Sequence, residues 1–188
     1  MNKKVLQKLT AITTAAVLAA SIAPMSASAA WNKDANSNWS WTENGQKSTG
    51  WKLIHGNWYY FDGSGIMQTG WKFINGQWYY MDQSGAMKTG WQFINGEWYH
   101  LAANGAMTKG WYKEGSYWYH LNENGVMSRH WRKISNKWYH FNPSGQMSVG
   151  WINWKNNHYF SNKDGVMQTG LVQIDELGTL ETPILFTN

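Results

Sequence analysis

Apolar and polar residues come in short blocks along this chain, and the blocks return every twenty residues. Each opens on Trp31, Trp51, Trp71, Trp91, Trp111, Trp131 or Trp151. A second Trp follows seven residues on, as Trp58, Trp78, Trp98, Trp118 and Trp138, with His158 in the last slot. Tyr59, Tyr79, Tyr99, Tyr119, Tyr139 and Tyr159 come directly after. Gly65, Gly85, Gly105, Gly125, Gly145 and Gly165 keep the same phase, and Met67, Met87, Met107, Met127, Met147 and Met167 stand two residues beyond them. A period of this length marks a solenoid or array.

Inside a block the pattern is that of a hairpin. In the stretch Trp71 to Tyr80, two aromatic-rich runs flank Asn75-Gly76, the strongest short hairpin signal. A two-residue turn there pairs Phe73 with Trp78 and Trp71 with Tyr80. Those four side chains then share one face, while Ile74 and Tyr79 share the other. The run Asp82-Gln83-Ser84-Gly85 opens the loop to the next hairpin. A lone hairpin is marginal in water, so neighbours must cover one another's aromatic faces, as in other repeat proteins. Gly and Asn recur too often for an apolar helical period to survive. The fold class expected is all-β, a solenoid of tandem hairpins of about twenty residues.

The ends differ from the body. Residues 1–29 read as a cleaved signal peptide: Lys3, Lys4 and Lys8 precede a short apolar run, and Ala27-Ser28-Ala29 is a small-x-small cleavage site. Residues 30–50 read as a degenerate N-terminal capping repeat and 51–170 as six full repeats. Residues 171–188 read as a C-terminal cap, with Leu171 in the Trp slot and Leu177, Leu180, Ile184, Leu185 and Phe186 available to close the stack. His130 stands where Gly70, Gly90, Gly110 and Gly150 stand in other units, and His tolerates positive φ better than most residues.

Composition narrows the function. The chain of 188 residues has no Cys, which rules out disulfides and Cys-based zinc sites. Of its 16 basic residues three precede residue 30, as do none of its 11 acidic ones, so the remainder carries +2. The bases are scattered, not gathered into the stripe a nucleic acid needs. No nucleophile elbow, zinc-protease helix or phosphate loop is present, and Asp62 and Asp82 face Ala102, Asn122 and Asn142 in the same slot, so no carboxylate pair stands out. His100, His120 and His140 fill the slot of Tyr60, Tyr80 and Phe160. Repeat-equivalent positions run along an array and do not converge on a metal. The expectation is therefore a protein without enzymatic activity, metal or cofactor.

The aromatics remain. Two Trp of one hairpin and a Tyr of a neighbour can wall a box whose π faces attract a quaternary ammonium; Met is a candidate fourth side or a gap-filler. The competing expectation is that these rings are only solenoid core.

The unit from Gly70-Trp71 through Trp78-Tyr79-Tyr80 to Gly85-Ala86-Met87 and Gly90 resembles the choline-binding, or cell-wall-binding, repeat of Gram-positive surface proteins. The resemblance covers about residues 50–170 and implies a left-handed superhelical solenoid, with phosphocholine of teichoic acids held between consecutive hairpins. Carried onto this sequence, the implied choline boxes are Trp51, Trp58 and Tyr79; Trp71, Trp78 and Tyr99; Trp91, Trp98 and Tyr119; Trp111, Trp118 and Tyr139; and Trp131, Trp138 and Tyr159. The middle Tyr of each triplet is chosen because it lies opposite the Trp pair and can face the preceding unit. The rival third wall is the next residue, Tyr80, His100, His120, His140 or Phe160; a His there would repel a cationic ligand when protonated. Trp31, Trp39 and Tyr59 make an imperfect box, and His158 with Thr179 leaves a sixth in doubt. The resemblance implies a secreted protein attached non-covalently to teichoic or lipoteichoic acid. Glucan binding and a surface adhesin are the alternatives.

Overall fold

In the computed structural model, residues 29–170 and the backbone of two further strands, Val172–Ile174 and Leu180–Pro183, are described. The segment expected to be a signal peptide (save Ala29) and the side chains of the segment expected to be a C-terminal cap lie outside the described residues. Within them every regular element is a strand. Six antiparallel hairpins follow one another: Gly50–Ile54 with Asn57–Phe61, Gly70–Ile74 with Gln77–Met81, Gly90–Ile94 with Glu97–Leu101, Gly110–Glu114 with Tyr117–Leu121, His130–Ile134 with Lys137–Phe141, and Gly150–Trp154 with Asn157–Ser161. Ala30–Lys33, Trp39–Glu43 and Gln46–Lys47 precede them as a three-stranded sheet. The all-β array of tandem hairpins is as the sequence implies.

Register follows turn chemistry. Trp71 pairs with Tyr80 and Phe73 with Trp78, and every hairpin repeats this alignment. At Asn75-Gly76 both residues have positive φ, 49° and 82°, the backbone a type I′ turn requires. His130 takes φ 62° in its glycine slot, as expected of a residue that tolerates this region.

Neighbouring hairpins are joined through the loops. The Met87 amide donates to the Trp58 carbonyl at 2.8 Å, and Met107 to Trp78 and Met127 to Trp98 likewise. Each loop is thereby tied to the second Trp of the unit before it. The Met side chain then lies against the next loop's glycine: a Cβ on Gly105 would run into Met87 Sδ, and one on Gly125 into Met107 Sδ. Absence of a side chain at that glycine, with φ of 83° at Gly105, lets the turns stack.

The second Trp of each hairpin is not the centre of the core. The fully buried side chains are Phe61, Met81, Leu101, Leu121, Phe141 and Ser161, one at the end of each hairpin's second strand. Trp58, Trp78 and Trp98 remain 44, 39 and 37% exposed. The expectation that neighbours would cover the Trp faces is corrected here. Interior cover comes from the residue two places after the Tyr, assisted by Ile54, Ile74 and Ile94 on the same face.

Candidate functional site: a row of aromatic clefts

Alternation along the strands decides which rings can meet. Trp71 and Trp78 project from one face of the second hairpin, and Tyr99 projects from the opposite face of the third. Docking two hairpins brings the three together. Trp71 and Tyr99 have ring centroids 4.9 Å apart at 60°, and Trp71 and Trp78 6.5 Å apart at 84°. The rings thus stand as a corner of near-perpendicular walls, an edge-to-face arrangement that aromatics favour. The same Trp–Tyr contact recurs at 4.9 Å for Trp51 with Tyr79 and Trp91 with Tyr119, at 4.8 Å for Trp111 with Tyr139, and at 4.9 Å for Trp131 with Tyr159.

Four of the five expected triplets line clefts of 330 to 410 Å³. Met87, Met107, Met127 and Met147 also line them, held there by hydrogen bonds that their backbone N–H groups donate to the Trp carbonyls. The Met therefore has both roles open to it from sequence: it borders the cleft and fills the gap above the next glycine. For Trp131 and Trp138, the positions equivalent to the outer loop edge are 183 and 184, beyond the described side chains. Trp31, Trp39 and Tyr59 line a further cleft of 360 Å³ with Met67. The N-terminal unit, despite its irregular sequence, therefore builds the same corner as the full repeats. Trp39 supplies it through a longer turn, which pairs it with Lys33.

The rival third-wall residues sit elsewhere. Tyr60, Tyr80, His100, His120 and His140 each lie beside the first Trp of their own hairpin, at 5.0 to 5.3 Å, and line none of these clefts. His100 Nδ1 meets Thr108 Oγ1 at 2.9 Å, His120 Nδ1 meets Ser128 Oγ at 3.0 Å and His140 Nδ1 meets Ser148 Oγ at 2.9 Å. Burial pushes all three imidazoles below the ordinary histidine pKa; Glu114 opposes this at His100 and Glu123 at His120, while His130 adds to it at His140. They are supports, held neutral.

Sequence reasoning missed the outer rim. It comes from the loop two units further on: Ala103 and Asn104 for the Trp51 cleft, Glu123 and Asn124 for Trp71, Pro143 and Ser144 for Trp91, Lys163 and Asp164 for Trp111. Nothing in a single hairpin announces that contact, which arises from how the array winds. The Trp91 cleft also includes Glu114.

The fold and its clefts define a class, a hairpin solenoid with an aromatic corner between successive units. Comparison narrows it. A choline-binding repeat model matches residues 48–89 and 88–130, and a putative cell wall binding repeat model matches residues 131–147 and 149–167. The chain belongs to the choline-binding repeat family. Choline binding protein F from Streptococcus pneumoniae is 40% identical over 74% of this chain and 47% of its own length, with a TM-score of 0.70. CbpJ from the same species is 35% identical over 80% of this chain and 57% of its own, also at 0.70. Choline binding protein F in the presence of a peptidoglycan analogue is 31% identical over 81% of this chain and 57% of its own, at 0.71. The chain thus spans about half the length of these relatives. No curated protein sequence matches it significantly.

Proposed function

We propose that the chain is a non-enzymatic module that attaches to choline on phosphocholine-bearing teichoic and lipoteichoic acids at a Gram-positive cell surface. The observation that supports this most is the repetition of one corner, two Trp and a Tyr with a Met behind, in five clefts of 330 to 410 Å³. The choline-binding triplets proposed are those expected from sequence, together with Trp31, Trp39 and Tyr59. The fifth, Trp131, Trp138 and Tyr159, is proposed on its matching Trp–Tyr contact.

The chemistry follows from the walls. Indole and phenol faces carry negative quadrupole potential, and a trimethylammonium group spreads its charge over a surface too apolar to hold water tightly. Each such contact contributes about 0.5–2 kcal/mol. Three of them, less the cost of ordering the ligand, leave roughly millimolar affinity per cleft. A polymer carrying many headgroups engages several clefts of one chain, and the second and later contacts are intramolecular. Weak individual sites then give firm attachment that free choline can reverse.

The test is a choline titration of the whole chain followed by Trp fluorescence, with retention on a tertiary-amine resin alongside. Saturable quenching or enhancement, with release from the resin by choline, is expected. A flat titration and a protein that stays on dextran beads regardless of choline would favour a glucan ligand instead.

A further inference from the structure

We propose that Glu114 makes the Trp91 cleft more charge-selective than the neutral Trp51 cleft, an inference that rests on the clefts taking a quaternary ammonium ligand. The position before the turn is Ile54, Ile74, Ile94 and Ile134 in four other hairpins and Trp154 in the last. Among these six hairpins only the fourth has a carboxylate there; the N-terminal unit has Asp34 at the equivalent position, but it accepts from the Asn36 and Asn38 amides of its own turn. Glu114 Oε2 accepts the Trp91 Nε1–H at 3.0 Å across the boundary between hairpins, and the residue lines the same cleft as Trp91, Trp98 and Tyr119.

A second departure supports it. Tyr112 stands where other hairpins have Lys52, Lys72, Gln92, Arg132 and Ile152. Its ring stacks on His100 of the preceding hairpin, 3.9 Å between centroids at 26°, and its hydroxyl donates to Glu114 Oε1 at 3.4 Å. Tyr112 and Trp91 therefore each hold one carboxylate oxygen. At the equivalent boundary two units on, where Trp154 replaces the carboxylate, Trp131 Nε1 is buried without a partner among the described residues. The Glu114 substitution thus satisfies an indole donor and sets a fixed negative charge at the edge of a box otherwise built from neutral π faces.

A cation–π corner accepts a methylated ammonium by shape and quadrupole, whereas a fixed carboxylate adds attraction that acts only on the charge and is screened by salt. The Trp51 cleft, with Ala103 and Asn104 at its rim, is the neutral reference. Glu123 also reaches the Trp71 cleft, so that cleft is not used as the reference.

The decisive experiment follows the indole Nε1–H resonances of Trp91 and Trp51 in the full chain at low ionic strength. Choline and its uncharged isostere 3,3-dimethylbutan-1-ol are titrated into the unaltered chain, Glu114→Gln and Glu114→Ile. Gln keeps an acceptor for Trp91 Nε1, and Ile is the residue four other hairpins use. In the unaltered chain, Trp91 should reach half its shift at about fivefold less choline than Trp51. Both substitutions should abolish that lead, and the uncharged alcohol should show none. Trp91 and Trp51 titrating together in the unaltered chain, or an undiminished lead in Glu114→Gln, overturns the proposal and leaves the choline reading intact. If choline moves neither resonance, the choline reading itself falls.

Discussion

The first two hairpins and the fourth and fifth build the same corner on different supports. In the former pair, the strand partner of the second Trp is Leu53 or Phe73 and the residue beside the first Trp is Tyr60 or Tyr80. In the latter pair these positions are Lys113 or Lys133 and His120 or His140. The third hairpin mixes the two, with Phe93 and His100. Yet the Trp–Tyr distance stays between 4.8 and 4.9 Å throughout. What faces the cleft is held constant, and what stands behind it is interchangeable. The supports also change as sets. Tyr60 accompanies Asp62 and Gln68, which bond each other at 2.9 Å, and Tyr80 accompanies Asp82 and Lys88. Where the ring is His120 or His140, Asn122 or Asn142 replaces the loop acid, and Ser128 or Ser148 turns to the imidazole.

The strongest challenge to this comparison lies in the core, where the two regions should behave alike. Phe61 and Phe141 are both fully buried and end the second strand of their hairpins. Phe61→Ala and Phe141→Ala should each lower stability by about 3–5 kcal/mol through lost transfer free energy and the cavity left behind. Urea unfolding checks this; a loss confined to one region would mean that the halves do not share an interior.

Next in size is an effect on binding. Trp58→Ala and Trp118→Ala remove one wall from the Trp51 and Trp111 clefts, and both rings are about two-fifths exposed. Each substitution should abolish about one cation–π contact, about 0.5–2 kcal/mol at that site, and lower the choline stoichiometry seen by calorimetry. The loss of stability should be smaller than for the buried Phe. Equal binding losses are expected despite Leu53 behind one ring and Lys113 behind the other, whose Nζ lies 5.7 Å from the Trp118 ring. Unequal losses would show that the support reaches the ligand.

How much of this was readable in the sequence follows from the same division. The period, the register and the meeting of the middle Tyr with the preceding unit's first Trp were legible because Trp, Tyr, Met and Gly recur as fixed letters, and strand alternation assigns their faces. The buried position was not, since it holds Phe, Met, Leu and Ser in turn and shows no letter to follow. The outer rim was not legible either, because Asn104 or Glu123 reaches a cleft from two units away. Glu114 reads in sequence as drift in an Ile column; only the distance to Trp91 Nε1 gives it a role.

A pH change should separate the two regions. His100, His120 and His140 are held below the ordinary histidine pKa chiefly by burial, so on acidification the unfolded chain takes up protons first. Their contribution is present above the unfolded pKa of about 6.5 and is lost as pH falls through that value toward the lower folded one. Glu114 and Glu123 oppose the shift at His100 and His120, whereas His130 deepens it at His140. Amide hydrogen exchange at pH 5 and pH 7.5, corrected for intrinsic rates, should show protection lost in hairpins three to five and kept in the first two. Uniform loss would mean that these imidazoles are not what distinguishes the regions. Because no His lines any of these five clefts, choline affinity per folded cleft should not follow the same curve.

The smallest expected effect asks whether the supports truly exchange as sets. His120→Tyr alone leaves the buried Ser128 hydroxyl without its ring partner, at a cost of about 1 kcal/mol. Ser128→Gln alone places a long amide there without the acid that Gln68 finds in Asp62. Asn122→Asp alone puts a carboxylate in the loop with neither Gln nor Lys to receive it. Made together, the three substitutions reproduce the set of the first hairpin. The triple variant should then be more stable than the sum of the single losses by about 0.5–1 kcal/mol, the coupling expected of residues that share partners. Denaturant unfolding of the three single variants and the triple measures it. Strict additivity would make the sets an accident of drift, and the division between a constant front and an exchangeable back would then hold one position at a time.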